Sequence, residues 1–91
     1  VGALRAGTPK VRAAAARALG HAERTQALSP LLMALEDADA WVRYYAAQAI
    51  GRHSYQEAID TLAQLIRQDS VPFVRIAAIG ALGASGDENA I

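Results

Sequence analysis

The sequence predicts an all-α fold assembled from repeated helix pairs, and three observations carry that prediction. First, a ten-residue segment recurs. Val11-Arg12-Ala13-Ala14-Ala15-Ala16-Arg17-Ala18-Leu19-Gly20 returns as Val42-Arg43-Tyr44-Tyr45-Ala46-Ala47-Gln48-Ala49-Ile50-Gly51 and again as Val74-Arg75-Ile76-Ala77-Ala78-Ile79-Gly80-Ala81-Leu82-Gly83, at offsets of 31 and 32 residues. Second, apolar residues inside the segment keep helical spacing: Val42, Ala46, Ala49 and Ile50 stand at i, i+4, i+7 and i+8, one stripe of a 3.6-residue helix. Third, alanine fills 22 of 91 positions; it is the best helix former and a poor strand former, and no period-2 run competes.

The elements follow in order. A first helix near 9–19 opens at Thr8-Pro9, an N-cap followed by proline at the first helical position, where its missing N–H is harmless. Gly20 is expected to stop it in left-handed geometry, as Gly51 and Gly83 are in the later copies. A second helix near 24–36 carries Ala27, Leu28, Leu31 and Leu35; Pro30 sits early enough to be tolerated, with a kink or a delayed start as the expected consequence. Asp39-Ala40 opens a helix near 40–50. A helix near 55–68 presents Ala58, Ile59, Leu62, Leu65 and Ile66 on one face, and Val71-Pro72 opens the last helix near 72–82. The units are then 8–38, 39–70 and a partial 71–91, after a tail of a preceding repeat at 1–7. Val1 to Leu4 align with Leu32 to Leu35, and Ala90-Ile91 with Ala58-Ile59, so the expectation is one continuous slice of a longer array. Repeats of this length signal stacked architectures.

Composition excludes several classes. Hydrophobic residues make up 53% of the chain and nine basic side chains balance nine acidic ones, which rules out disorder and removes any strong global pull on nucleic acid. With no cysteine there is no disulfide framework, thiolate nucleophile or cysteine-ligated metal. No apolar run approaches the roughly 20 residues needed to span a bilayer, and the opening residues lack a signal peptide's apolar core. The compartment expected from these features is cytoplasmic. Charge is uneven along the chain: Arg5, Lys10, Arg12, Arg17 and Arg24 face only Glu23 in residues 1–24, whereas residues 46–91 hold three arginines against five carboxylates.

The motif Val-Arg-x-x-Ala-Ala-x-Ala-aliphatic-Gly resembles the HEAT-like repeats, specifically the short type named after phycobilisome lyases. The ankyrin and tetratricopeptide signatures are absent. The resemblance implies a right-handed α-solenoid of antiparallel helix pairs, with first helices outside, second helices lining a concave surface, and another protein as the usual partner. It also implies a test of activity. HEAT-like deoxyhypusine hydroxylases bind iron through His-Glu pairs just after the Val-Arg position, where this chain has Ala13-Ala14, Tyr44-Tyr45 and Ile76-Ala77. No residue here specifies a bilin, and the concave candidates Gln26, Met33, Glu57, Asp60, Gln64 and Arg67 lack the basic groove of HEAT-like DNA glycosylases.

The expected function is therefore a non-enzymatic protein–protein interaction scaffold, with no catalytic residue, cofactor or metal. The alternative is a substrate-holding, non-catalytic part of a HEAT-repeat enzyme such as a bilin lyase subunit. Nucleic acid is the weakest partner class, and no membrane partner is expected. Arg12, Arg43 and Arg75, one per copy, read either as cations for an acidic partner or as a structural ladder pairing with Asp37, Asp39 or Asp69 and loop carbonyls. The ladder is preferred, since a residue that every unit carries belongs to the stacking. His21 and His53 occupy non-equivalent places and read as solvated loop histidines. The candidate partner-binding set is Trp41, Tyr44, Tyr45, Phe73 and Ile76. Residues 41, 44, 45 and 48 share a helical face opposite the Ala46/Ala49/Ile50 stripe, and exposed aromatic patches mark interfaces. For Trp41 and Phe73 the preferred alternative is that they fill the gap between adjacent first helices, which leaves Tyr44 and Tyr45 as the stronger partner candidates.

Overall fold

The computed structural model describes residues 7–85. The readings that fall on Val1 to Leu4, Arg5 and the segment 86–91 lie outside the described residues. Five α-helices follow one another among the described residues: α1 (Pro9–Leu19), α2 (Arg24–Ala34), α3 (Ala40–His53), α4 (Ile59–Gln68) and α5 (Pro72–Ser85), with a short 3-10 turn at Gln56–Ala58 before α4. The helical content is that of an all-α, solenoid-like repeat.

Local chemistry sets the starts. The Thr8 hydroxyl accepts from the Val11 amide at 3.2 Å and Pro9 takes the first helical place. Asp39 Oδ1 accepts from the Trp41 and Val42 amides at 2.9 and 3.3 Å, satisfying two donors that α3 cannot bond internally. Such a cap is worth about 1 kcal/mol.

The ends depart from expectation. Gly20 stands at φ −62, in right-handed geometry. Gly51 lies inside α3, which runs on to His53 and ends at Ser54 in left-handed geometry at φ 59. Likewise α5 passes through Gly80 and Gly83 to Ser85. Gly20 and Gly51 instead permit close approach between neighbouring first helices, whereas Gly80 and Gly83 face open space. A Cβ on Gly51 would meet Ala81 Cα at 3.3 Å, and one on Gly20 would meet Ala49 Cβ at 3.4 Å and Arg52 Cδ at 3.1 Å. The tenth place of one copy thus touches the eighth place of the next. α2 ends at Ala34 rather than 36, finishing in 3-10 turns from Glu36 to Met33 and Asp37 to Ala34. Pro30 is buried inside α2, which starts at Arg24 without delay.

Packing sorts the helices into two layers. The first helices α1, α3 and α5 lie side by side, and behind them α2 packs against α1 and α3 while α4 packs against α5. The smallest extent of the molecule, 15 Å, matches two helix layers about 8–10 Å apart. Alanines (Ala16, Ala46, Ala47, Ala49, Ala78, Ala81) line the buried side of the first layer, and Leu31, Leu35 and Leu62 fill the space from the second. Small residues let the first helices approach closely, and each buried leucine contributes about 1.5–3 kcal/mol.

Candidate interaction surface

The structure divides the named residues into three groups. The first is an ion-pair ladder. Arg12 Nε and Nη2 donate to Asp37 at 2.9 and 3.1 Å, while its Nη1 donates to the Gly7 carbonyl at 2.9 Å. One unit later Arg43 Nε and Nη2 donate to Asp69 at 2.7 and 3.2 Å, and its Nη1 reaches the carbonyls of Asp37 and Ala38. Both carboxylates also accept a backbone amide two residues on, Asp39 N for Asp37 and Val71 N for Asp69. Each rung therefore ties the start of a first helix to the end of its own second helix, and Arg43 also clasps the connection between units. Asp39 does not pair with an arginine; its side chain is engaged as the α3 N-cap. Arg75 is exposed, and no carboxylate pairs with it among the described residues.

Charge follows from this geometry. Burial by itself would raise the Asp37 carboxyl. The hydrogen bonds from Arg12 and the Asp39 amide, with the charges of Arg12 and Arg43, outweigh burial and hold it below the ordinary 3.8. Arg12 is correspondingly raised, chiefly by its hydrogen bond to Asp37.

The second group joins the loops at the other end of the helices, and the sequence reading passed over it. Arg24 donates to the carbonyls of His53 and Ser54 at 2.8 and 3.0 Å and lies 4.6 Å over the Tyr55 ring. Tyr55 is buried and its hydroxyl donates to the Arg24 carbonyl. Burial pushes that phenol up. His53 is half-buried and bonds through Nε2 to the Leu19 carbonyl at 2.8 Å; since a carbonyl only accepts, Nε2 carries the proton. Its reading as a solvated loop histidine is thereby corrected, because α3 extends through it. Arg52 approaches the Gly20 carbonyl and His21 at 3.4 and 3.3 Å. Tyr55 has no aromatic counterpart in the other copies, so the repeat pattern carried no signal of its buried role.

The third group is the aromatic set on the face of the first helices. Trp41 stacks on Phe73 with centroids 4.4 Å apart, and Tyr44 stands edge-on to Trp41, Phe73 and Tyr45 at 5.5, 5.6 and 5.1 Å. Tyr44 accepts from Gln48 Nε2 at 2.8 Å, and the Arg17 guanidinium lies 6.0 Å over Tyr45. Trp41 thus bridges α3 and α5 and still remains 53% exposed; Ile76, on the next helix, is 69% exposed. Two clefts flank the Tyr44/Tyr45 ridge. One of about 510 Å³ lies between α3 and α5, with Tyr44, Gln48, Ile76 and Gly80 among its walls. The other, about 460 Å³, lies between α1 and α3, lined by Ala13, Ala14, Trp41 and Tyr45 together with Lys10 and Arg17.

No group of three or more His, Asp or Glu residues able to hold a metal occurs among the described residues. None of the described helices is long and apolar enough to cross a membrane. The second-helix residues Gln26, Met33, Glu57, Asp60, Gln64 and Arg67 are all exposed and mixed in charge.

Two layers of helices, joined unit to unit by recurring small-residue contacts and braced within each unit by an Arg–Asp rung, define a helical repeat protein. The chain belongs to the HEAT-repeat family: the model for HEAT repeats matches residues 28–91, and that for the PBS lyase HEAT-like repeat matches residues 11–37. No individual curated protein matches the chain. HEAT-like repeats commonly serve as protein-interaction modules.

Proposed function

We propose that this chain is a non-enzymatic protein-interaction scaffold that docks its partner on the face of the first helices. The observation that carries the reading is the Trp41–Phe73 stack with Tyr44 and Tyr45. Four of the five aromatic rings lie on a surface shared by two adjacent units, while the core beneath is built from alanine, leucine, valine and isoleucine with Tyr55 as its one aromatic ring. Trp and Tyr contribute disproportionately to association, because they bury large rigid areas at little entropic cost. A stacked array also holds that surface in place before a partner arrives, so little ordering entropy opposes docking.

The test is a displayed helical-peptide library selected on the wild-type protein and re-scored on Trp41→Ala and Tyr44→Ala. Circular dichroism confirms that both variants keep their helices. The enriched binders are expected to weaken by roughly tenfold or more, the loss typical of a hot-spot ring. Binders that hold both variants as tightly as the wild type overturn the reading.

A further inference from the structure

The cleft between α1 and α3 has a chemistry of its own, distinct from that of the α3–α5 cleft. α1 contributes Ala13 and Ala14 to its lining and α3 contributes Trp41 and Tyr45. Lys10 and Arg17 of α1 also line it, both exposed and in no ion pair among the described residues, with the Arg17 guanidinium 6.0 Å over the Tyr45 ring. The one carboxylate in the lining is Asp39, whose Oδ1 already accepts two backbone amides. An apolar trough is therefore lined by two cations against one carboxylate, and that carboxylate is held at the α3 N-cap.

Their spacing is informative. Lys10 and Arg17 are seven residues apart on one helix, two turns or about 10.5 Å along the axis. A helix laid alongside α1 presents its own i and i+7 residues at the same separation, with i+3 and i+4 on the same face between them. Carboxylates at i and i+7 then meet Lys10 and Arg17 while large apolar side chains at i+3 and i+4 enter the trough against Trp41 and Tyr45.

We infer that the α1–α3 cleft receives an amphipathic helix of a partner protein, with acidic residues at i and i+7 flanking an apolar pair. The inference rests on the docking face proposed above and names the partner's chemistry. Charge complementarity sets the register and discriminates against basic helices, and the apolar pair supplies the attraction.

Trp41 is the chain's only tryptophan, so its emission reports occupancy of the cleft directly. The probes are two fluorescein-labelled, helix-stabilised peptides without tryptophan, both with Leu at i+3 and i+4, one carrying Glu and the other Lys at i and i+7. Anisotropy and Trp41 emission are followed together at low and moderate salt. The Glu peptide is expected to bind roughly fivefold or more tightly than the Lys peptide, a preference that shrinks with salt as exposed charges are screened. The double reversal Lys10→Glu with Arg17→Glu is expected to invert the order without altering helicity. Equal binding of the two peptides, or an order unchanged by the reversal, overturns the acidic-helix inference. If Trp41→Ala still abolishes that equal binding, the aromatic docking face stands without it. If neither peptide binds, the inference fails, and the library selection alone decides the scaffold reading.

Discussion

Gly51 and Gly83 occupy the same place in the repeat, yet substitution should move them in opposite directions. A Cβ on Gly51 would press on Ala81 Cα at 3.3 Å, whereas one on Gly83 meets nothing within 4 Å. Ala81 Cα is backbone in a packed helix, so relief requires α5 to shift, and overpacking of this kind costs about 1–3 kcal/mol. Glycine inside a helix is itself unfavourable by about 0.5–1 kcal/mol relative to alanine. Gly51→Ala should therefore lower stability by about 1 kcal/mol and Gly83→Ala should raise it by about 0.5–1 kcal/mol, read from urea midpoints at unchanged slope. The repeat motif made these glycines visible in the sequence but suggested helix stops. Their actual role depends on which place of one unit meets which place of the next, and that pairing is set by helix packing rather than by anything local. The eighth-place alanines were legible as contact residues for the complementary reason: small size on an apolar stripe has one economical use.

Among the elements, the Arg–Asp rungs decide how a first helix is held to the end of its second. The Asp69 side chain is 4% exposed and accepts two bonds from Arg43 and one from the Val71 amide. Asp69→Ala leaves a largely covered guanidinium without its counter-charge, and the expected loss is about 2–3 kcal/mol in chemical denaturation. Asp37 adds a pH dependence. Its native carboxyl is held below the ordinary value of 3.8, so the folded state binds the proton less readily than the unfolded one. The resulting stability is complete above that value and is lost as pH falls through the lowered native one. Denaturation midpoints should drop over this acid range in the wild type and drop less in Asp37→Asn; equal slopes would dissociate Asp37 from the effect. Starts were readable here, since Thr8 and Asp39 are cap residues that act within three positions of themselves. Ends were less so, because Ser54 adopts left-handed geometry where no glycine announces it, and α3 gains the turn that places His53 against Leu19. Tyr55, with Arg24 over its ring, was illegible for a similar reason: the two residues are 31 positions apart and belong to no repeated motif.

For the whole molecule, the order of the layers determines where stability concentrates. α3 is flanked by α1 on one side and α5 on the other, and α2 packs behind it. Val42, Ala46, Ala47, Ala49 and Ile50 are buried along its length. α1 has α3 alone beside it among the described first helices and buries only Ala13 and Ala16. In a stacked array stability is the sum of each unit's own contribution and its contacts with immediate neighbours, so a helix with two such contacts opens less often than a helix with one. Native-state hydrogen exchange should accordingly find the slowest amides at Ala46 to Ile50, with α1 exchanging faster by roughly tenfold or more, the factor that about 1.4 kcal/mol of extra contact energy implies. Gly51→Ala tests the same logic from within, because it loosens the α3–α5 contact. Under that substitution exchange in α5 should accelerate more than in α1. If both accelerate equally, the array opens as one cooperative block instead of unit by unit. The docking face would then be held by the fold as a whole, and no longer chiefly by the α3–α5 contact that aligns Trp41 with Phe73.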